Sequence, residues 1–417
     1  MLSGRCSQSP ERKPGNRSVD SLAYATGSVN GGEHPISRLP DSREVFLSVL
    51  QSSPVFVRLP SMARVAILTP GDDEPEKPQS GFSPPQDLSP EEDRILRPQR
   101  MAEMIGQRDV FNRLEISIRA AQKRREPLGH ILLDGPPGLG KTTFATCIPR
   151  ELGVSMQITN GAILKAPKDI MPYLTNADEG SVLFIDEIHR MQKTVEEFLY
   201  PAMEDFRIDW VIGEGVSART INLALKHFTL IGATTRTGLI SAPLRDRFQI
   251  REHLDFYTVD ELAVIIRRSS GKLNITIADD AAYEIAYRSR GTPRLANNRL
   301  RWVRDYADAR ANGVITLTVA MAALEMQGVD RLGLDPQDKR FLETILRVHG
   351  GGPVGLESIA HTLNLEPDTL SDEVEPFLLR SELLIRTPKG RCLTEKGFRH
   401  LGAEPKQNVS MDAALFD

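Results

Sequence analysis

The sequence has few cysteines, no long apolar run and no surplus of positive charge. Its three cysteines, Cys6, Cys147 and Cys392, are far apart and form no C-x-x-C pair. That excludes a disulfide framework and a thiolate zinc site, and it fits a reducing, cytoplasmic setting. No uninterrupted apolar stretch reaches the roughly 18 to 20 residues that cross a bilayer, so no membrane span is expected. The formal net charge of -4 excludes a uniformly basic nucleic-acid binder but leaves room for a local basic patch. No internal repeat is visible. What is there is an ordinary globular composition, 40% hydrophobic and 26% charged over 417 residues, enough for two or three domains with real cores.

The first 93 residues stand apart. They are rich in Ser, Pro, Gly and Arg and lack sustained apolar periodicity, except in short runs at Val45 to Val57 and Arg64 to Leu68. This is the composition of a disordered leader or extension. A Ser-rich targeting peptide is the other reading, against which Glu11, Asp20 and the Pro and Gly content count. Met62, followed by "ARVAILTP", offers a second start, which N-terminal sequencing of the native protein would check.

From Leu96 the pattern changes. The stretch "IGQRDVFNRLEISIRAAQKRRE" spaces Val110, Leu114, Ile118 and Ala121 as one helical face. Short apolar runs then recur at 130–135, 181–187 and 228–235, separated by helix-like stretches. That alternation predicts an α/β core, a parallel sheet with flanking helices, over 94–256. After Phe256, "TVDELAVIIRRSS" and "ADDAAYEIAYRSRG" read as capped amphipathic helices with no strand between them, a helical domain over 257–332. Residues 333–402 read as three short helices, two extended runs around a Pro-Lys-Gly turn and a last helix ending near Leu401. This order suggests a winged helix, with 403–417 a flexible tail.

"GPPGLGKTT" fits G-x-x-x-x-G-K-[ST] through Gly135, Gly140, Lys141 and Thr142, between an apolar strand and a helical run. The cradle of Gly135, Pro136, Pro137, Gly138, Leu139 and Gly140 lets backbone N–H groups wrap phosphates at a helix N-terminus. Lys141 is expected to reach the β and γ phosphates of ATP, and the Thr142 hydroxyl to coordinate Mg²⁺. Thr143 adjoins the cradle and reads as a helix residue rather than a ligand. In "VLFIDEIH" a buried strand presents Asp186, expected to hold Mg²⁺ through water, and Glu187, expected to polarise the attacking water. His189 reads as a supporting or structural residue. "LIGATTR" ends a further strand with Thr234 and Thr235, of which Thr235 is the expected water-orienting hydroxyl.

The ordered set "GPPGLGKTT", "FIDEIH", "GATTR", "PLRDRF" and "RGTPR" resembles the AAA+ ATPases. Taken with "LYPAMEDF", "LTNADEG", "DFYTVDEL" and "GGPVGLESIA", followed downstream by "EPFLLRSELLIRTPKGR", the chain resembles the RuvB family of bacterial Holliday-junction branch-migration motors. The resemblance covers about residues 95 to 402; the first 93 residues have no recognised counterpart. It implies a cytoplasmic, ATP- and Mg²⁺-dependent motor that works as a homohexameric ring on the duplex arms of Holliday-junction DNA. A RuvA-type junction-binding protein is the implied partner, and a RuvC-type resolvase a further candidate. The rival reading is an AAA+ protein remodeller or clamp-loader-like assembly factor, in which the winged helix binds protein.

By the same resemblance, the catalytic set is Lys141, Asp186, Glu187 and Thr235, with Arg294 as the second sensor and Arg247 as an arginine finger. Arg247 lies too far along its own surface to reach back, so it is expected to enter a neighbour's site; Arg245 is interfacial or structural. Leu96, Arg97, Pro98 and Ile105 fall in the segment that surrounds adenine. The stretch 206–223 matches a hairpin that docks on the RuvA-type partner, with Ile221 and Leu223 as apolar contacts. The chain departs from the family pattern at Gln249, where Gly is expected, in "LKHFTL", and at Trp210 and Trp302. None of these removes an ATPase residue.

Residues 335 to 402 carry nine Lys and Arg against eleven Asp and Glu, so this domain is not basic as a whole. Its tip is: Arg386, Lys389, Arg391, Lys396 and Arg399 face the single Glu395 between 386 and 399. Arg386, Lys389 and Arg391 are the expected backbone contacts to DNA, independent of base sequence and weakened by salt.

Overall fold

The computed structural model describes residues 95–212 and 219–404. The readings made for residues 1–93 and for the tail beyond 404 fall outside them.

Strands β1 (Ile131–Asp134), β2 (Met156–Asn160), β3 (Ser181–Asp186), β6 (Phe228–Thr234) and β7 (Ile250–His253) form a five-stranded sheet in the order β2-β3-β6-β1-β7, with every pair parallel. Parallel strands covered on both faces must be apolar on both, and every residue of β6 is buried. Side chains alternate between faces. Ile131 and Leu133, Val182 and Phe184 therefore enter one core, while Leu132, Leu183 and Ile185 enter the other. The helix Arg108–Arg124 buries Val110, Leu114, Ile118 and Ala121, the face read from the sequence. Removing one such buried side chain, as in Phe184→Ala, costs about 3–5 kcal/mol.

β4 (Arg207–Ile212) and β5 (Arg219–Ala224) form a separate antiparallel hairpin. The helical region that follows shares the first core with the sheet, since Leu262, Ile266, Ile285 and Leu300 belong to the same cluster as Ile131 and Phe144. The helix Val259–Lys272 starts with a capping box between Thr258 and Glu261. Two expectations fail here. The helix Asp279–Tyr287 follows Ala278 with no side-chain cap. A strand does lie between the two helices: β8 (Thr276–Ile277) pairs in parallel with β9 (Val314–Ile315), a pairing too short to leave a periodic trace.

Val329 is the last residue of this shared core, and Leu334 belongs to a third one. That core is built by the helices Pro336–Arg347 and Leu356–Leu363, a helical run through Pro367–Thr369, Leu370–Val374 and Glu375–Arg380, and the antiparallel hairpin β10 (Leu384–Thr387) and β11 (Gly390–Leu393). A last helix, Glu395–His400, completes the winged helix. Among the described residues no helix is long and apolar enough to cross a membrane.

Candidate nucleotide-binding site

β3, β6 and β1 are neighbours in the sheet, so the loops at their C-terminal ends meet. After β1 the chain turns through Gly135 to Gly140 before the helix Lys141–Leu152. At Gly138, φ is +77° and an added Cβ would meet Thr292 Cγ2 at 2.8 Å, so glycine is needed for both backbone and space. Lys141 is buried, and its Nζ donates to Gly135 O at 2.6 Å and Pro136 O at 2.8 Å. Burial pushes its ammonium pKa down, while Glu187, Asp186, Asp134 and Asp372 pull it back up.

The Thr142 hydroxyl donates to Asp186 Oδ2 at 3.3 Å. Glu187 adopts φ +48° and ψ +46°, a left-handed conformation that costs a non-glycine residue on the order of 1 kcal/mol. Its N–H donates to Asp186 Oδ1 at 3.0 Å. Burial, then the charge of Asp186, raises the Glu187 carboxyl pKa. His189 Nδ1 lies 3.0 Å from Thr234 Oγ1 and 3.2 Å from Glu187 Oε2. Burial first, then Arg236, lowers its pKa.

These groups line a cleft of about 430 Å³. Leu96, Arg97, Pro98, Ile105, Pro137, Gly138, Leu139, Gly140, Lys141, Thr142, Thr143, Asp186 and Glu187 all belong to its lining. Arg294 closes the side, its N–H donating to Gly138 O at 3.4 Å. Three expected residues lie elsewhere. Gly135, Pro136 and Thr235 line a second cavity of about 200 Å³ with Asp134, His253 and Asp372. β6 ends at Thr234, which is fully buried with its hydroxyl beside His189, and Thr235 follows the strand.

Sequence reasoning missed Tyr257, Arg268 and Asn297, which also line the cleft. Tyr257 Oη donates to Leu139 O at 3.2 Å, and burial drives its phenol pKa far up. Arg268 and Asn297 lie on the helices Val259–Lys272 and Pro293–Arg310, and Tyr257 lies inside "DFYTVDEL", which does not mark it as a site residue.

Arg247 ends the short helix Ala242–Asp246, capped by Ser241. It lies over the Tyr200 ring at 4.2 Å and pairs with Glu204 at 3.0 Å; it lines neither cavity of its own chain. Arg245 is half-buried on the same helix. Gln249 Oε1 accepts from His130 N–H at 2.6 Å, which ties the entries of β1 and β7. Trp210 packs edge-on against Phe198, and Trp302 donates to Ala323 O at 2.7 Å.

On the β4–β5 hairpin Ile221 is 46% exposed, while Leu223 packs against the second core. On the β10–β11 hairpin, Arg386 and Arg391 stand opposite each other and both bind the carboxylate of Glu375, which is completely buried. The tip is therefore less basic than its linear stretch. Glu375 and Glu382, both outside 386–399, neutralise part of it, the latter through Lys396 at 3.3 Å. Lys389 is exposed at the turn.

Comparison with known proteins finds three family models along the chain. A family model described as the Holliday junction DNA helicase RuvB P-loop domain matches residues 96–254. The RuvB AAA lid domain matches 257–330 and the RuvB C-terminal winged helix domain 331–402. The Holliday junction branch migration complex subunit RuvB of Rhodopirellula baltica is 61% identical over 356 residues, covering 82% of this chain and 96% of that protein. Residues 94–417 make up less than that share, so the alignment takes in part of the region for which no counterpart was expected. The solved Thermotoga maritima RuvB Holliday junction branch migration motor is 45% identical, with a TM-score of 0.69, and covers 74% of this chain and 99% of that one. A mutant form of it is 46% identical with a TM-score of 0.69 and the same coverage.

Proposed function

Since this chain belongs to the RuvB family and is an ATP-driven Holliday-junction branch-migration motor, we propose how its own residues divide that work. The observation that carries the reading is the meeting of Lys141, Thr142, Asp186 and Glu187 in one cleft closed by Arg294.

Leu96, Arg97 and Ile105 hold the adenine side of ATP. The Gly135–Thr143 segment cradles the phosphates, with Lys141 supplying positive charge at their β and γ groups. The Thr142 hydroxyl and the Asp186 carboxylate, already facing each other across 3.3 Å, are the hard oxygen donors that suit Mg²⁺, directly and through water. When bound, that ion neutralises phosphate charge. Glu187 polarises the attacking water, Thr235 helps to orient it, and Arg294 reports the nucleotide to the helical domain.

Arg247 serves the site of a neighbouring subunit in a homohexameric ring. An arginine supplied across an interface contributes on the order of 10³ to 10⁵ in hydrolysis rate, so the isolated subunit is nearly inactive. Lys389, with Arg386 and Arg391, contacts the phosphates of the duplex arms. Ile221 and Leu223 receive a RuvA-type partner, and the motor acts in the bacterial cytoplasm.

The test mixes subunits. Arg247→Ala chains keep an intact site of their own, and Lys141→Ala chains keep the finger. Mixed rings are expected to recover ATP hydrolysis that neither variant has alone; mixtures as inactive as the separate variants would remove the role in trans.

A further inference from the structure

We propose that His189 is a positioning residue for hydrolysis, holding the Glu187 carboxylate against the tip of β6 through Thr234 and so fixing where the attacking water is polarised. The inference rests on the reading of Glu187 given above.

The local chain geometry delivers the imidazole to this place. β3 ends at Asp186, Glu187 turns the backbone through the left-handed region, and one tight helical turn follows at Ile188–Arg190. Ile188 is buried in the second core, which anchors the turn and leaves the next side chain aimed back at the sheet. The His189 side chain is only 7% exposed. Its Nδ1 has two oxygen neighbours, Thr234 Oγ1 at 3.0 Å and Glu187 Oε2 at 3.2 Å.

The donor pattern follows from valence. An ionised carboxylate only accepts, so the ring nitrogen facing Glu187 carries the proton. Thr234 Oγ1 already accepts the Arg236 N–H at 3.0 Å and is the oxygen hydrogen-bonded to this same ring nitrogen. Thr234 is fully buried; its position is set by the sheet. The 3.2 Å contact with Oε2 therefore sets a long, rotatable side chain that lines the nucleotide cleft beside a rigid strand. A histidine present only to fill space has no need of a nitrogen between two oxygens.

The test uses the full chain with duplex DNA and reads single-turnover and steady-state hydrolysis, with nucleotide affinity measured separately by a fluorescent ATP analogue. His189→Leu fills the space without a donor; His189→Asn keeps one. The leucine variant is expected to lose kcat by roughly 10- to 100-fold, the scale on which a misplacement of about 1 Å acts. KM and nucleotide affinity should stay within about twofold, since ground-state binding is untouched. The asparagine variant should retain most of kcat. Adding His189→Leu to Glu187→Gln should lower the rate no further, because the two residues act as one unit.

Three results would overturn the inference: unchanged kcat in His189→Leu, equal loss in the leucine and asparagine variants, or the same fractional loss in the Glu187→Gln background. If Glu187→Gln alone keeps full kcat, the reading of Glu187 fails first and this one fails with it. An inactive Glu187→Gln beside a fully active His189→Leu overturns only the positioning role.

Discussion

Glu375→Gln asks whether the β10–β11 hairpin is held to its domain by charge or by apolar packing. The buried carboxylate accepts two hydrogen bonds from Arg386, at 2.8 and 2.7 Å, and two from Arg391, at 2.9 and 3.2 Å. Burial alone would raise its pKa, but the two guanidiniums hold it below the ordinary carboxylate value. Glutamine keeps the shape, offers one acceptor oxygen and turns its amide donors toward a cation. Removing one partner of a buried ion pair costs about 3–5 kcal/mol. Here the Arg386 side chain is 52% exposed and that of Arg391 22%, so both can turn toward water and the cost falls to about 2–3 kcal/mol.

Amide hydrogen exchange at Leu384–Thr387 and Gly390–Leu393 in the full chain reads this directly. Exchange should run about 30- to 150-fold faster in the variant, at ~1.4 kcal/mol per factor of ten. Arg386→Gln should cost at most about 1 kcal/mol, because Arg391 keeps the carboxylate paired. The pH dependence follows from the same ion pairs. A carboxyl whose folded pKa is depressed adds stability that is present above its unfolded pKa and is lost as pH falls through the folded one. Protection should therefore be flat near neutrality and decline below about pH 4 in the native chain, but not in Glu375→Gln. Exchange within about threefold of the native chain, less than 1 kcal/mol, would refute the argument and leave apolar packing as the anchor.

Two other predictions follow from the same contacts. Lys389→Ala should reduce the slope of log affinity for duplex DNA against log salt by about 0.9 while leaving hairpin exchange untouched; an unchanged slope would take Lys389 out of the DNA interface. Gly138→Ala places a methyl 2.8 Å from Thr292 Cγ2 and 3.0 Å from Arg294 Cβ at a positive φ, and should weaken nucleotide affinity by about tenfold or more, in keeping with a strain of roughly 1–3 kcal/mol. Native affinity by calorimetry would show that the loop relaxes freely.

The parts of the site that could be read from the sequence are those where one strand, one turn and one helix are continuous in the chain. Gly135 to Thr142 is such a stretch, and so is Val182 to Glu187. Their meeting could be expected because parallel strands deliver their C-terminal ends to one edge. Tyr257, Arg268 and Asn297 also line the cleft, the last two carried there by helices whose packing has no local signature. The surroundings of Thr235, one residue past the end of β6, depend on where that strand stops, which the sequence leaves open by a residue. The basic tip was overcounted for a similar reason. Glu375 is 11 residues from Arg386 and 16 from Arg391, so a charge count along 386–399 could not include it.

The end of β6 also gives the motor a place where the P-loop and winged-helix units touch. Two residues beyond Thr234, the Arg236 guanidinium binds Asp372 through Nε at 3.0 Å and Nη2 at 2.9 Å, and Asp368 through Nη1 at 2.9 Å. Both acids belong to the winged helix, and Asp372 lines the second cavity together with Gly135, Pro136 and Thr235. The negative charge of Asp372 therefore acts on Lys141 and Glu187 as well as on Arg236. A winged helix carried only on a linker would leave these site charges unchanged as it moved. With this contact, a displacement between the β6 tip and the winged helix changes both the pairing of Asp372 and its field at Lys141 and Glu187. Coupling between two sites is reciprocal in free energy, so if nucleotide turnover is felt at the winged helix through this ion pair, whatever the winged helix binds is felt at the nucleotide site in equal measure.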